Sequence, residues 1–337
     1  MFRFKFVLDY FQKEGASGPT INANVRAKWL TRLCPDDLEI AFAPYPGQRP
    51  FYDPDSVRLV GQHEEGWWNH YFFNSHLIRQ EKGKWWSLGP NIDLNKPIPN
   101  HALTVVFSRY QKEKLLAKWN LPEEKVVIIP NMVDDQLFFP GKKAEQFTVG
   151  WIGYDHPSRM TKGVEVIPYL ARAFPDIQFE MVHARPPKYL HEWLPQPLPN
   201  LKIMAAIPHH HMGTIIRRWH VLVCGSKWET FGTHLVEAMA SGVPVIAPRV
   251  GAIPEVASSQ LLLGEMKWGQ PPLVQSPYDW TVEALEKFRE ALARVYQDKA
   301  LYGTLVRQAL RESKRFTPPV VARKWFDFMY RCRELSE

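Results

Sequence analysis

The sequence predicts an α/β protein made of two Rossmann-like, doubly wound domains. Three observations carry this. Short apolar runs alternate with segments of helical periodicity along most of the chain, the pattern of parallel strands joined by right-handed crossover helices. The 337 residues are long for one core and suit two domains of roughly 150 residues each. One βαβ unit is explicit: Val221-Leu-Val-Cys224, a loop opening at Gly225-Ser226, a helix from about Gly232-Thr233 to Ser241-Gly242, and the run Pro244-Val-Ile-Ala247.

Two carboxylates sit in that unit. Glu229 falls in the loop at the carboxyl end of the first strand and Glu237 inside the helix, so both can face the crevice where open α/β sheets bind ligands. Backbone N–H groups at a helix start suit a phosphate, and carboxylates accept hydrogen bonds from sugar or ribose hydroxyls. On spacing alone the pair reads equally well as a solvated loop charge and a helix-surface charge. The whole run, Glu229-x-Phe231-Gly232-x4-Glu237-Ala-Met-Ala-Ser-Gly-x-Pro-Val-Ile-Ala247 followed by Gly251-Ala-Ile-Pro-Glu255, resembles the Glu-x7-Glu signature of family-four retaining nucleotide-sugar glycosyltransferases. The resemblance implies the GT-B fold, with two Rossmann-like domains facing each other across a cleft. It implies transfer of a sugar, with retained configuration, from a nucleotide diphosphate donor (UDP-sugar favoured) to a hydroxyl acceptor. It implies no metal and no cofactor beyond the nucleotide-sugar co-substrate. In the same terms Glu229 holds sugar hydroxyls as a catalytic residue, Glu237 holds the ribose, and Phe231, Gly232 and Thr233 offer backbone N–H groups to the donor.

Taken in order, Phe2 to Leu8 alternates as a strand and leads through Glu14-Gly-Ala-Ser-Gly18-Pro-Thr20 into a helical pattern carrying Val25, Ala27, Trp29 and Leu30. The glycine-bearing turn resembles the loop by which the family approaches donor phosphate and acceptor, so Gly18 is a donor-binding candidate; as residues alone it is a turn. Ser56 to Val60 reads as a short strand running into Gly61-Gln-His63. By position His63 is the candidate for the family's histidine near the transferred sugar, with a locally hydrogen-bonded loop histidine as the alternative. Residues 67–86 hold Trp67, Trp68, Tyr71, Phe72, Phe73, Trp85 and Trp86 with His70, His76, Arg79, Lys82 and Lys84 among them. Such a stretch is core, or an acceptor surface on which rings stack and cations hold phosphate.

Thr104 to Ser108 reads as a strand and Tyr110 to Trp119 as a helix. The following Lys125-Val-Val-Ile-Ile-Pro-Asn-Met-Val-Asp134 and Phe138-Phe-Pro140 resemble the end of the family's first domain. This places an acceptor domain at 1–142 and a donor domain at 143–317, with a terminal helix over 318–337 returning to the first. Phe147 to Gly153 opens the second domain as a strand. In the family a Gly-Arg and, after a short spacer, a Lys-Gly then clamp the donor diphosphate. Here Tyr154 stands in the arginine's place and the spacer to Lys162-Gly163 is longer, so Lys162 and Arg159 are the expected pair, neutralising charge on the leaving group. Val164–Ala173, Trp280–Tyr296 and Ala300–Arg315 read as helices; Gln178–Val182 and Leu201–Ala205 read as strands. Consecutive His209-His-His211 point in different directions and lack a carboxylate or cysteine pattern, so no metal site is expected there.

Composition bounds the partners. Hydrophobic residues at 45% and charged residues at 23% fit a packed globular protein. The net charge of +7 and pI near 9.2 suit a phosphate-bearing partner, yet residues 1–142 hold 18 basic and 16 acidic residues, so the excess is spread thinly. Cys34, Cys224 and Cys332 lack metal spacing and read as reduced thiols. Arg3, Lys5 and Asp9 interrupt any leader core, and no apolar run nears the ~18–20 residues of a membrane span; a cytoplasmic protein is expected, with peripheral membrane contact open. The acceptor class stays open among glycan, lipid, small molecule and nucleic acid. Two alternatives stand beside the main reading: a glycosyltransferase that modifies DNA bases, and a non-catalytic sugar-nucleotide or glycan-binding protein.

Overall fold

The computed structural model describes residues 1–8, 18–44, 55–61, 65–72, 86–89, 102–153, 161–183, 197–205, 207–267 and 280–337. The chain forms two compact units, Met1–Met132 with Arg315–Glu337, and Val133–Lys314. Among the described residues no helix is long and apolar enough to cross a membrane.

In the first unit β1 (Phe2–Leu8), α1 (Gly18–Arg32), β2 (Leu38–Ala43), β3 (Trp68–Phe72), β4 (Trp86–Gly89), β5 (Ala102–Val106), α2 (Arg109–Trp119) and β6 (Val126–Ile128) follow one another. The strands form one parallel sheet in the order β2-β1-β3-β4-β5-β6. Alternation in β1 sends Phe4 and Phe6 to one face, where Phe6 meets Trp325 at 5.1 Å between centroids and Phe4 meets Phe328 at 6.3 Å. These partners belong to the terminal helix, Pro318–Ser336, which Thr317 and two prolines at the first helical positions start. On the other face of β1 Lys5 is fully buried, and its ammonium donates to the Gly61 carbonyl at 3.3 Å. Ser108 caps α2 by accepting from the Gln111 N–H at 3.1 Å, and Asn120, at φ 48°, ends it.

Two expectations for this unit need correction. Ser56–Val60 is not a strand: Leu59 makes one isolated bridge to Phe42, held by Phe42 N–H to Arg58 O at 2.9 Å and Val60 N–H to Phe42 O at 3.1 Å. The ladder is taken instead by Leu38-Glu-Ile-Ala-Phe-Ala43, whose apolar run is buried almost throughout. An acceptor surface does not include Trp67, Trp68 or His70, all of which are buried; Trp68 and His70 lie in β3, and the Arg3 guanidinium covers the Trp67 ring at 4.2 Å. Residues 73–85 lie outside the described residues.

The second unit contains β7 (Thr148–Gly153), α3 (Val166–Ala173), β8 (Gln178–His183), β9 (Leu201–Met204), α4 (His209–Ile216), β10 (Val221–Val223), α5 (Thr233–Ala240), β11 (Val245–Pro248), α6 (Ile253–Val256), β12 (Leu261–Leu263), α7 (Val282–Gln297) and α8 (Lys299–Ser313). Its parallel sheet runs β12-β11-β10-β7-β8-β9. Strand order therefore reverses between β7 and β10, the switch point at which such sheets open a ligand crevice at the strands' carboxyl ends. Trp151, Leu170, Phe179, Met181, Phe288 and Leu292 are core residues, each at most 1% exposed. The expected boundary after residue 142 falls ten residues later than the observed one, because the intervening segment is tied to the second unit. Arg217 donates to Leu137 O at 2.8 Å and lies 3.8 Å from the Phe139 ring centroid, while Phe138 is 1% exposed.

His70 carries a testable consequence. Burial, and secondarily the Arg26 charge, hold its imidazole well below the ordinary value of 6.5. Between the two values the unfolded chain binds a proton that the folded chain does not, so stability is present above about pH 6.5 and falls below it, by at most about 1.4 kcal/mol per pH unit. Melting of the parent and of His70→Phe at pH 7.5 and 5.5 checks this: the variant is expected to lose part of the acid sensitivity. Equal sensitivity in both removes His70 as a source.

Candidate functional site

The site begins with two loops at the β7/β10 switch point. Gly163, at φ 63°, presses on Gly225 so closely that a Cβ on either would overlap the other's carbonyl oxygen. Lys227 N–H donates to Thr161 O at 2.7 Å, in parallel with that contact. A buried ion pair completes the junction: Lys227 Nζ lies 2.6 Å from Glu165 Oε1, both side chains being 5% exposed. The same carboxylate oxygen accepts the Trp280 N–H at 3.0 Å, and the Trp280 indole donates to Gly225 O at 2.7 Å. Burial of an ion pair is tolerated when further hydrogen bonds offset its desolvation, and Oε1 receives them here, while the buried Oε2 has no hydrogen-bond partner among the described residues.

This junction sets Lys162 beside Glu229. Their side chains form an ion pair, and Ser226 Oγ donates to the same Glu229 oxygen at 2.9 Å. Glu229 is 8% exposed in its side chain and Lys162 30%, so the cation is the member turned toward solvent. Burial by itself would raise the Glu229 pKa; the charges of Lys162 and His234, with hydrogen bonds from Lys162 and Ser226, outweigh it and hold the carboxyl below its ordinary value. Glu229 is thus an ionised acceptor. Its backbone is fixed from behind, since Ala252 N–H donates to Glu229 O at 2.9 Å and Gly251, at φ 54°, leaves no room there for a Cβ. That is the structural use of Gly251-Ala-Ile-Pro-Glu255.

Phe231, Gly232 and Thr233 lead into α5, with Phe231 buried, Gly232 at the N-cap and Thr233 the first helical residue. Further along α5, Glu237 Oε1 lies 2.7 Å from His209 Nε2 on α4. His234, also on α5, is held below its ordinary pKa by burial, while both Glu229 and Glu237 pull it upward, so the two glutamates act on one locality. His234 Nε2 lies 3.4 Å from Cys224 Sγ. Burial and the Glu229 charge push the Cys224 thiol up to about 11, which rules it out as a nucleophile near neutral pH.

Of the residues expected in the site, the structure brings together Lys162 and Glu229 and places Phe231, Gly232, Thr233 and Glu237 on the adjoining helix and its lead-in. Gly18 is the first residue of α1 in the first unit. His63, Tyr154 and Arg159 lie outside the described residues. Sequence reasoning missed Ser226, His209, His234 and the Glu165–Lys227–Trp280 junction. Ser226, three residues before Glu229, was the one with a local signal.

Removing Lys162 gives a pH-dependent test of this electrostatic arrangement. In the parent the pair stabilises the fold above about pH 4.5, the carboxyl's ordinary value, and that contribution is lost as pH falls through the lowered one. In Lys162→Ala, burial of Glu229 dominates and its pKa rises, so the variant is destabilised at pH 7 by about 2 kcal/mol, the scale of a lost hydrogen bond to a charged group. The deficit shrinks as Glu229 takes up a proton toward pH 5. Urea unfolding at the two pH values measures it; a pH-independent deficit would contradict the pairing.

Residues 146–298 match the family model described as Glycosyl transferases group 1. The chain is 26% identical over 191 residues to a phosphatidylinositol N-acetylglucosaminyltransferase subunit of Arabidopsis thaliana, covering 54% of this chain and 40% of that protein. It therefore spans less than half the length of this curated relative. Among solved structures, the sucrose-phosphate synthase of Thermosynechococcus elongatus superposes with a TM-score of 0.74 at 17% identity, covering 99% of this chain and 100% of the other. The Anabaena protein HepE, in complex with UDP and glucose, gives 0.68 at 14% identity, covering 97% and 99%. Residues 146–298 are thus similar to the group 1 glycosyl transferases, and the two parallel α/β units are those of the GT-B fold.

Proposed function

We propose that this protein is a retaining glycosyltransferase that moves a sugar from a nucleotide diphosphate donor, a UDP-sugar first among candidates, to a hydroxyl acceptor without a metal ion. The observation that carries the reading is the Lys162–Glu229 pair at the switch point of the second sheet, beside the start of α5. An ionised, buried Glu229 suits hydrogen bonds from sugar hydroxyls, and the half-open Lys162 ammonium suits the diphosphate. Glu237, one turn into α5, suits the ribose. The UDP and glucose bound by HepE support the UDP preference. The name of the Arabidopsis relative puts an inositol-lipid hydroxyl among the acceptors to be tried.

In the proposed reaction the bond from the sugar's anomeric carbon to the leaving phosphate oxygen breaks, and a bond to the acceptor oxygen forms on the same face. The acceptor's proton passes to the departing phosphate, giving the glycosylated acceptor and a nucleoside diphosphate. Lys162 stabilises the charge that gathers on that phosphate as the bond breaks. The N-terminus of α5 adds partial positive charge at the same place. No proton transfer by a protein side chain is required, which fits a site whose Glu229 is held ionised. A DNA-modifying activity is less well supported, since Trp67 and Trp68 are buried and unavailable for stacking on bases.

A thermal-shift and hydrolysis screen against UDP, GDP, ADP and their common sugar conjugates tests the proposal, because a ligand bound by the folded state alone raises the melting temperature. One nucleotide is expected to stabilise the parent. Lys162→Ala is expected to lower kcat by about 10²–10³-fold, and Glu237→Ala to act mainly on KM. Absence of any shift and of any donor hydrolysis would overturn the enzyme reading; a shift with neither hydrolysis nor transfer would favour a non-catalytic sugar-nucleotide-binding protein.

A further inference from the structure

We propose that His209 is a positioning residue for nucleotide recognition, holding Glu237 so that one carboxylate oxygen is presented in a fixed direction to the ribose hydroxyls of the donor. The inference rests on the reading of Glu237 as the ribose acceptor and adds the group that makes it selective. His209 opens α4, Glu237 sits on α5, and His209 Nε2 lies 2.7 Å from Glu237 Oε1. A carboxylate oxygen only accepts, so Nε2 carries the hydrogen and donates. Both side chains are 9% exposed, which sets this contact apart from a solvated surface pair. The Phe138 ring also packs against the imidazole, 5.2 Å between centroids. Of the three consecutive histidines, His210 and His211 are exposed, so His209 alone turns inward.

The consequence concerns the second oxygen. Oε2 of Glu237 makes no protein hydrogen bond among the described residues. A glutamate side chain has three rotatable bonds, and one tethered at Oε1 has lost most of that freedom before a ligand arrives. Ordering that is complete in the unbound protein does not have to be supplied by binding. Oε2 is thereby left to accept from a hydroxyl of the ribose, and the tether converts a mobile charge into a directional acceptor. Without the donor at position 209, Glu237 would still be acidic and near the nucleotide, yet would no longer discriminate a ribose from a sugar lacking those hydroxyls.

The test measures dissociation constants by calorimetry for UDP, GDP and their 2′,3′-dideoxy counterparts on the full chain. The proteins are the parent, Glu237→Ala, His209→Phe and His209→Gln. His209→Phe keeps a ring against Phe138 and removes the donor; His209→Gln restores an N–H. The parent is expected to favour the ribonucleotide by about tenfold or more, in keeping with a hydrogen bond to a charged acceptor. Glu237→Ala and His209→Phe are both expected to reduce that ratio to about twofold or less, and His209→Gln to recover most of it. A merely structural role for His209 would weaken both forms of the nucleotide equally and leave the ratio intact. If the parent and His209→Phe discriminate alike while Glu237→Ala does not, the His209 proposal is overturned and the Glu237 reading stands. If the parent shows no preference, or binds neither nucleotide, the Glu237 reading itself fails and the proposal with it.

Discussion

The backbone contact between Gly163 and Gly225 is the constraint on which the site depends. It joins the loop after β7 to the loop after β10, the two strands flanking the point where strand order reverses. A Cβ at Gly163 would overlap Gly225 O, and one at Gly225 would lie 2.5 Å from Gly163 O, so a side chain at either position would force the loops apart. Lys162 directly precedes one glycine and Glu229 lies four residues after the other, so the separation would act on the ion pair at once. The buried Lys227–Glu165 pair and the two hydrogen bonds from Trp280 keep the loops closed from the core side.

Three glutamates at this end of the second sheet show how buried carboxylates are divided between structure and chemistry. Glu165 is enclosed with Lys227 and serves the junction. Glu229 shares its charge with Lys162, whose side chain is partly open to solvent, so the pair can turn outward to an anion. Glu237 meets a histidine rather than a lysine, and its second oxygen stays available for a hydroxyl. Each carboxylate has a nitrogen partner, as buried charge demands, and the exposure of that partner distinguishes the roles. His234 sits where the fields of the second and third glutamates overlap, and burial keeps it below its ordinary pKa there.

The first unit shows the opposite use of similar residues. Its aromatic rings and cations are consumed by packing: Phe4, Phe6 and His70 meet Trp325 and Phe328 of the terminal helix, and Arg26 lies 4.9 Å from the Trp325 ring centroid. A run such as Trp67-Trp68-Asn-His70 carries the same composition whether it lines a ligand surface or fills a core. Pairing of β3 beside β1 decided for the core at Trp68 and His70, and Arg3 covers the Trp67 ring.

Residue order alone was enough for the parallel α/β class, for most strands and helices of residues 102–183 and 221–248, and for the Glu-x7-Glu region, because period and local turn chemistry are written within short windows. It also singled out Lys162, which the fold sets on Glu229. β2 carries a local signal in the apolar run Leu38 to Ala43, but Ser56 to Val60 also has strand character; pairing with β1 chose between them. The helix opened by His209 is likewise hidden, its first three residues being histidines without apolar periodicity. What folding decided was partnership. His209 and Glu237 are 28 positions apart, Lys227 and Glu165 62, Lys162 and Glu229 67, and Trp280 and Glu165 115. A contact between groups so distant in the chain has no local pattern, because it exists only after the crossover connections have brought the carboxyl ends of β7 and β10 side by side.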